Sequence, residues 1–207
     1  MRACDNPFRV QRLARLAYRL EGTTWEALLA RWDALGRRAA LVGPEGRGKS
    51  TLLDELAGRV AARDGCRVRL VTLRRGERRL APADRTLLFD GASAGDLLLV
   101  DGAQELSPWE WRRLRDASRA AAGLLVTSHR AGLLPTLHEC RTTPVLLGDL
   151  LGELLREEPR DEAIATVAAA DALFTRHRGN LRDALLATYD AYSAATSPPR
   201  SPAPRTP

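Results

Sequence analysis

Short apolar runs alternate along this chain with longer stretches in which apolar residues recur at helical spacing, a pattern that predicts an α/β domain with a parallel sheet. Ala39–Val42 and Leu97–Val100 are continuous apolar runs of strand length, as strands buried on both faces should be, and Leu124–Thr127 is expected as another buried strand. Cys66–Leu73 alternates with a period of two, and Pro144–Leu147 is expected as a fifth strand. Between and after these runs, helices are expected over about 49–63, 149–157, 161–177 and 181–193. Ser107, Pro108 and Glu110 have the types and spacing of an N-cap, a first-turn proline and a capping-box glutamate, which predicts a helix from Trp109 to about Ala121. Thr23 and Glu26 have capping-box spacing too, and open an expected helix reaching about Leu35.

The two ends read differently. Phe8, Leu13, Leu16, Ala17 and Leu20 recur at helical spacing with Arg9, Arg12, Arg15 and Arg19 between them, predicting a basic amphipathic helix. Such a helix either packs on the domain edge or offers a docking surface to an acidic partner, protein or DNA. Residues 194–207 hold five of the twelve prolines and no core-forming residues, so a disordered Pro/Ser/Arg tail is expected there. The expected organisation is a basic helical extension over 1–36, a core over 37–148, a small helical segment over 149–193 and the tail over 194–207. The segment RRGERR, 74–79, reads as a solvated loop.

Composition changes this picture in three ways. With 44% hydrophobic residues in 207 the chain has the makings of a sizeable core, but no run approaches the roughly 18–20 apolar residues of a membrane span. The arginine-interrupted N-terminus lacks the apolar segment of a secretory signal, and three widely spaced cysteines, Cys4, Cys66 and Cys140, fit reduced thiols with structural roles, so a cytoplasmic protein is expected. The formal charge is +6, yet of 32 cationic residues only Lys49 is a lysine. One isoleucine and two asparagines show the same skew toward residues with GC-rich codons, so arginine abundance does not by itself imply nucleic-acid binding. The lone lysine is what needs explaining.

Lys49 stands in GPEGRGKS, which satisfies G-x-x-x-x-G-K-[ST] through Gly43, Gly48, Lys49 and Ser50, with an apolar strand before it and a helical pattern after. The chemistry requires these types. Gly43, Gly46 and Gly48 let the backbone of Gly43, Pro44, Glu45, Gly46, Arg47, Gly48, Lys49, Ser50 and Thr51 fold into a nest of N–H groups at a helix N-terminus, where phosphate oxygens bind. Lys49 is expected to reach the β and γ phosphates as a compact ammonium, for which an arginine's planar fork is no substitute. Ser50 is expected to ligate Mg²⁺, and Thr51 to lie near the α phosphate. LLLVD, 97–101, supplies Asp101 as the metal-side carboxylate at the end of a neighbouring strand. Gly102 occupies the place where many ATPases carry the glutamate that polarises water, so Glu105 or Gln104 is expected to act from the next turn. With one lysine no N-K-x-D guanine-reading motif is possible, which favours ATP over GTP.

GPEGRGKS and LLLVDGAQEL resemble the Walker A and B motifs of P-loop NTPases. The D-G-x-x-E spacing of Asp101, Gly102 and Glu105, with LLVTSHR at 124–130, is similar to STAND-type ATPases of the NACHT group. Asn6, Pro7 and Phe8 ahead of a leading helix, with a D-x-A-Q-x-L Walker B, resemble small AAA ATPases of the ExeA and TniB type. The resemblance spans about 6–190. It implies a three-layer α/β fold with about five parallel strands, ATP and Mg²⁺ as cofactors, and a polar γ-phosphate sensor at Thr127 or Ser128. It further implies an arginine reaching a neighbouring subunit's nucleotide at Arg130 or Arg141, and a lid-helix arginine at Arg182 behind an Asn180 cap. His129 and His138 lack partners at metal spacing and read as loop histidines. Three functions remain open: a slow Mg-dependent ATPase acting as a regulatory switch or assembly ATPase, a small-molecule or nucleotide kinase, and a non-hydrolysing nucleotide-binding interaction module.

Overall fold

The apolar runs assemble into one five-stranded parallel sheet. A computed structural model describes residues 16–90, 92–156 and 166–196. In chain order the strands are β1 (Arg38–Val42), β2 (Arg67–Thr72), β3 (Asp96–Asp101), β4 (Gly123–Ser128) and β5 (Thr136–Glu139). Across the sheet they lie β2-β3-β4-β1-β5, every neighbouring pair parallel. Successive strand residues point to opposite faces, so a sheet covered on both sides needs apolar residues at every position. Ala39, Leu41, Leu97, Leu99 and Leu125 face one layer, made by Leu28 and Trp32 of α1 (Trp25–Ala34) and Leu52, Leu53 and Leu56 of α2 (Lys49–Asp64). Ala40, Val42, Leu98, Val100, Leu124 and Val126 face the other, made by Leu88 of α3 (Pro82–Phe89) and Leu114 of α4 (Pro108–Ala117). Burying each such leucine stabilises the fold by about 1.5–3 kcal/mol.

Several expectations are corrected. Pro144–Leu147 is not a strand but the first turn of α5 (Pro144–Leu154): Thr143 caps it by accepting the Leu146 N–H at 3.1 Å, and Pro144 at the first position has no N–H to leave unpaired. The fifth strand is instead Thr136–Glu139, which one buried leucine, Leu137, anchors. The first cap is Thr24, whose hydroxyl accepts the Ala27 N–H, rather than Thr23. Helix α4 ends at Ala117 and continues as a 3-10 turn, Ser118–Ala120. Helix α3, opened by Pro82, has no counterpart among the expected helices. Leu16–Leu20 form no regular element, and the rest of the expected basic helix, like the tail from 197 and the start of the expected 161–177 helix, lies outside the described residues.

Two compact units divide the chain, one of Ala17–Arg141 and one that takes in the chain from Thr142 onward. In the second, α5, α6 (Ala170–Arg176) and α7 (Leu181–Thr196) close around Leu147, Leu151, Leu154, Leu155, Leu181, Ala184 and Leu185. Asn180 caps α7, its side-chain oxygen accepting the Asp183 N–H at 3.1 Å. No helix among the described residues is long and apolar enough to cross a membrane.

The start of β3 carries a buried charge. The Asp96 carboxylate, fully buried, accepts from Arg67 at 2.8 Å, Arg69 at 3.1 Å and the Ser93 hydroxyl at 2.9 Å. These donors, Arg67 foremost, hold its carboxyl well below the usual carboxylate range against the opposing effect of burial. The folded state therefore binds this proton more weakly than the unfolded chain, so the stabilisation is complete above the ordinary carboxylate range and is lost as pH falls through and below it. Thermal midpoints measured across the acid range should drop as pH falls below about 4. Asp96→Asn should lower the neutral-pH midpoint by several degrees and flatten that acid dependence.

Candidate functional site at the end of strand β1

The loop after β1 leaves the sheet between β4 and β5. The Gly43 N–H donates to the Ser128 carbonyl at 3.1 Å, and the Cys140 N–H donates to the Val42 carbonyl at 2.7 Å. The chain there has no room for a side chain: a Cβ on Gly43 would stand 2.6 Å from the Cys140 carbonyl oxygen. Gly43→Ala should accordingly cost about 1–3 kcal/mol, read from chemical denaturation, because the obstacle is backbone that cannot swing away. Gly46 and Gly48 take left-handed conformations, φ 71° and 79°, the second as the N-cap residue of α2. Glycine supplies no side-chain cap and the first turn carries no acid, so the N–H groups and positive end of this 16-residue helix are left for an anion.

Lys49 opens α2. Its Nζ donates to the Pro44 carbonyl at 2.7 Å, folding the side chain back over the loop, and the residue is buried. Burial lowers its pKa, with Asp101 and Glu45 among the charges that pull the other way. One residue on, the Ser50 hydroxyl donates to Asp101 Oδ2 at 2.7 Å. The other carboxylate oxygen accepts from the Thr127 hydroxyl, which itself accepts the Gly102 N–H at 2.8 Å. The sheet order makes this possible, since β4 lies between β1 and β3 and sets Thr127 between the loop and Asp101. Burial, with Asp101 nearby, raises the carboxyl of Asp54, one turn beyond Ser50.

Ser128, next to Thr127, turns its hydroxyl to the Arg130 carbonyl at 2.8 Å and takes no part in the network. Glu105 sits on the 3-10 turn Ala103–Glu105, its carboxylate accepting the Gly76 N–H at 2.8 Å, with Gln104 beside it at 3.4 Å. Gly102 holds a φ of 87°, and a Cβ there would stand 2.8 Å from the Leu73 carbonyl, so no side chain fits immediately after Asp101. Arg130 is exposed, and Arg141 pairs with Glu139 at 2.9 Å on the surface. Arg182 is exposed on the first turn of α7, in the other unit.

One residue at the loop carried no sequence signal. The Tyr18 ring lies 3.1 Å from where a Gly48 Cβ would be, stands edge-on to His138 with centroids 6.1 Å apart, and hydrogen-bonds Cys140. Its backbone N–H donates to the Glu55 carboxylate of α2. Burial holds the phenol protonated far above its ordinary range and raises the Cys140 thiol as well. Nothing in the local pattern around Tyr18 announces this contact, which arises only when the N-terminal segment folds across the loop.

No protein-family model matches the sequence, and no curated protein matches it either. Solved structures do match in fold. A RuvB variant from Thermotoga maritima superposes with a TM-score of 0.53 at 20% identity, covering 82% of this chain and 61% of that one. Domain III of the Thermotoga maritima replication initiation protein DnaA gives 0.57 at 14% identity over 86% and 88% of the two chains. The Aeropyrum pernix Orc1 protein, solved in complex with DNA, gives 0.56 at 19% identity over 91% and 63%. The chain thus spans less than two thirds of the RuvB and Orc1 chains. These likenesses show the fold, an α/β sheet of five parallel strands that matches P-loop NTPase structures.

Proposed function

We propose that this chain, with its P-loop NTPase fold, binds ATP with Mg²⁺ on the loop of residues 43–51 and hydrolyses it slowly as a regulatory or assembly ATPase. The observation that carries the reading is the pairing of a buried, carbonyl-bonded Lys49 with the Ser50–Asp101 contact of 2.7 Å at the uncapped start of α2. A hydroxyl beside a carboxylate is a hard-oxygen donor set that suits Mg²⁺, an ion that keeps waters and phosphate oxygens as its other ligands. The metal would supply charge neutralisation on the phosphoryl oxygens. The loop N–H groups and Lys49 hold the triphosphate, and Thr127 orients Asp101 while lying where the γ phosphate is sensed.

In this reading Glu105 polarises the attacking water after leaving the Gly76 N–H, Arg182 contacts the γ phosphate from a helical lid, and Arg130 or Arg141 reaches a second copy's nucleotide. The N-terminal arginines then serve a protein or DNA partner, and a cytoplasmic location is in keeping with cysteines that carry structural roles as thiols. A second reading, a nucleotide switch that binds without turnover, is favoured by Gly102: no glutamate fits there, and Glu105 is already bonded to Gly76.

Calorimetric titration with ATP, with and without Mg²⁺, and turnover measured across protein concentration with and without DNA, separate the two. Tight binding with turnover per subunit that rises with concentration supports the ATPase. Tight binding without turnover at any concentration supports the switch, and no binding of ATP rejects both. Within the ATPase reading, Glu105→Gln should leave ATP affinity nearly unchanged and lower turnover about a hundredfold, as loss of a positioned general base does.

A further inference from the structure

Away from the phosphate loop, the arginines of this chain divide into two populations. Most of those in the sheet and its packed helices are tied down. Arg63 pairs with Asp33 and Asp64 at 2.7 and 2.8 Å, Arg67 and Arg69 hold Asp96, Arg85 pairs with Glu110, and Arg38 donates to the Ser118 carbonyl at 2.6 Å. On one face the pattern reverses. The side chains of Arg74, Arg75, Arg78 and Arg79 in the loop after β2, and of Arg112 and Arg115 on α4, are all exposed and make no hydrogen bond or ion pair with any described residue. Codon bias explains how many arginines a chain has; six of the exposed arginines without such a bond fall in this loop and helix, while Arg130, Arg156, Arg176 and Arg182 lie elsewhere in the chain.

The backbone beneath these side chains is held firmly. Ser107 donates its N–H to the Arg78 carbonyl at 2.9 Å, which fastens the loop to the start of α4. Glu77, the loop's one acid, is spent on its closure, accepting the Arg74 N–H at 2.7 Å, and the Gly76 N–H is bonded to Glu105. Arg112 and Arg115 on α4, and Arg119 on the 3-10 turn after it, follow at i, i+3 and i+7, and with Pro108, Trp111 and Asp116, which pairs with Arg119 at 3.4 Å, they line a surface groove of about 340 Å³. Beside the loop attachment, Trp109 is 60% exposed, an unusual position for so large an aromatic residue. Its ring is held by the Arg113 guanidinium, 4.8 Å from the ring centroid and itself 5.3 Å from that of Phe89.

We propose that the face formed by loop 74–79 and helix α4 binds single-stranded nucleic acid. Free guanidinium groups in a row meet a chain of phosphates, and a fixed, exposed indole offers a face on which an unpaired base stacks. The aromatic residue decides among polyanions. An acidic peptide has use for the arginines but none for Trp109, and a duplex keeps its bases stacked away from such a ring. This surface shares no residue with the phosphate loop, so it stands or falls independently of ATP binding.

The test is fluorescence anisotropy of a labelled oligothymidylate with the full chain, in the absence of nucleotide, over a range of salt. Affinity should fall linearly on a logarithmic salt axis. The Arg112→Ala/Arg115→Ala pair should weaken binding about tenfold or more and make that slope shallower by about 1.4, the share of two phosphate contacts on a single strand. Trp109→Ala should weaken binding about tenfold with the salt slope unchanged, and Trp109→Phe should recover most of the loss. Both sites are on the surface, and unchanged thermal midpoints would confirm that the variants remain folded. Absence of binding at low salt overturns the proposal. So does binding that ignores these substitutions, which would point to other arginines, and so does equal competition by polyglutamate at the same residues, which would assign the face to an acidic protein partner.

Discussion

Lys49→Ala should leave a folded chain whose affinity for MgATP is reduced at least about a hundredfold, measured by calorimetry. The reasoning is electrostatic. The ammonium is buried, bonded to the Pro44 carbonyl, and burial disfavours its charged form. A desolvated cation at the open end of a helix costs stability until an anion reaches it. Because the folded-state pKa of this lysine is lowered, the fold gains stability as pH rises toward the ordinary lysine range, so removing the charge should not lower the thermal midpoint at neutral pH. Charge-assisted bonds to two phosphates are each worth about 1.5–3 kcal/mol, which together exceed the roughly 2.8 kcal/mol of a hundredfold change. Lys49→Arg should recover little, since a planar fork does not fit a nest shaped around one point charge. Unchanged ATP affinity in Lys49→Ala would sink the nucleotide reading altogether.

The second large effect is expected at Asp101. Asp101→Asn keeps the shape and one acceptor oxygen, so either Ser50 or Thr127 retains a partner and the strand end should hold. What is lost is the charge. Asparagine presents a neutral amide where Mg²⁺ requires a carboxylate in its surroundings, so Mg²⁺ should cease to strengthen ATP binding and turnover should fall about a hundredfold or more. ATP binding without metal should change little or improve, because a negative charge near the triphosphate has been removed. That opposite response with and without Mg²⁺ distinguishes a metal-side carboxylate from one that only ends a strand. A variant that loses both modes equally would mark Asp101 as structural.

The parts of the site legible in the sequence are those in which chemistry is carried by consecutive residues. GPEGRGKS contains the strand exit, the turn glycines, the ammonium and the hydroxyl within eight positions, and LLLVD contains a buried strand with its terminal carboxylate. Backbone conformation makes such segments readable: Gly46 and Gly48 do adopt the left-handed values the nest needs. Pro144–Leu147 reads as a strand because four apolar residues suit either element, and the deciding signals, Thr143 as cap and Pro144 at the first position, lie at its edge. Thr136–Glu139 is silent in the sequence for the opposite reason: as the outer strand beside β1 it needs only one buried leucine, so its residues lack an apolar run.

By itself the sequence determined the α/β class, the phosphate-loop element and the identity of its lysine, serine and carboxylate, because each follows from local chemistry and period. Only the tertiary structure decided which hydroxyl meets Asp101, that Glu105 is bonded to Gly76, that Tyr18 lies on Gly48, and that the loop holding Arg78 is fastened to the start of the helix that carries exposed Trp109. The physical reason is the strand order. Placing β4 between β1 and β3 brings residues 51 and 77 positions beyond Ser50 and into contact with it or its partner, and no periodicity along one segment records which strand will be its neighbour.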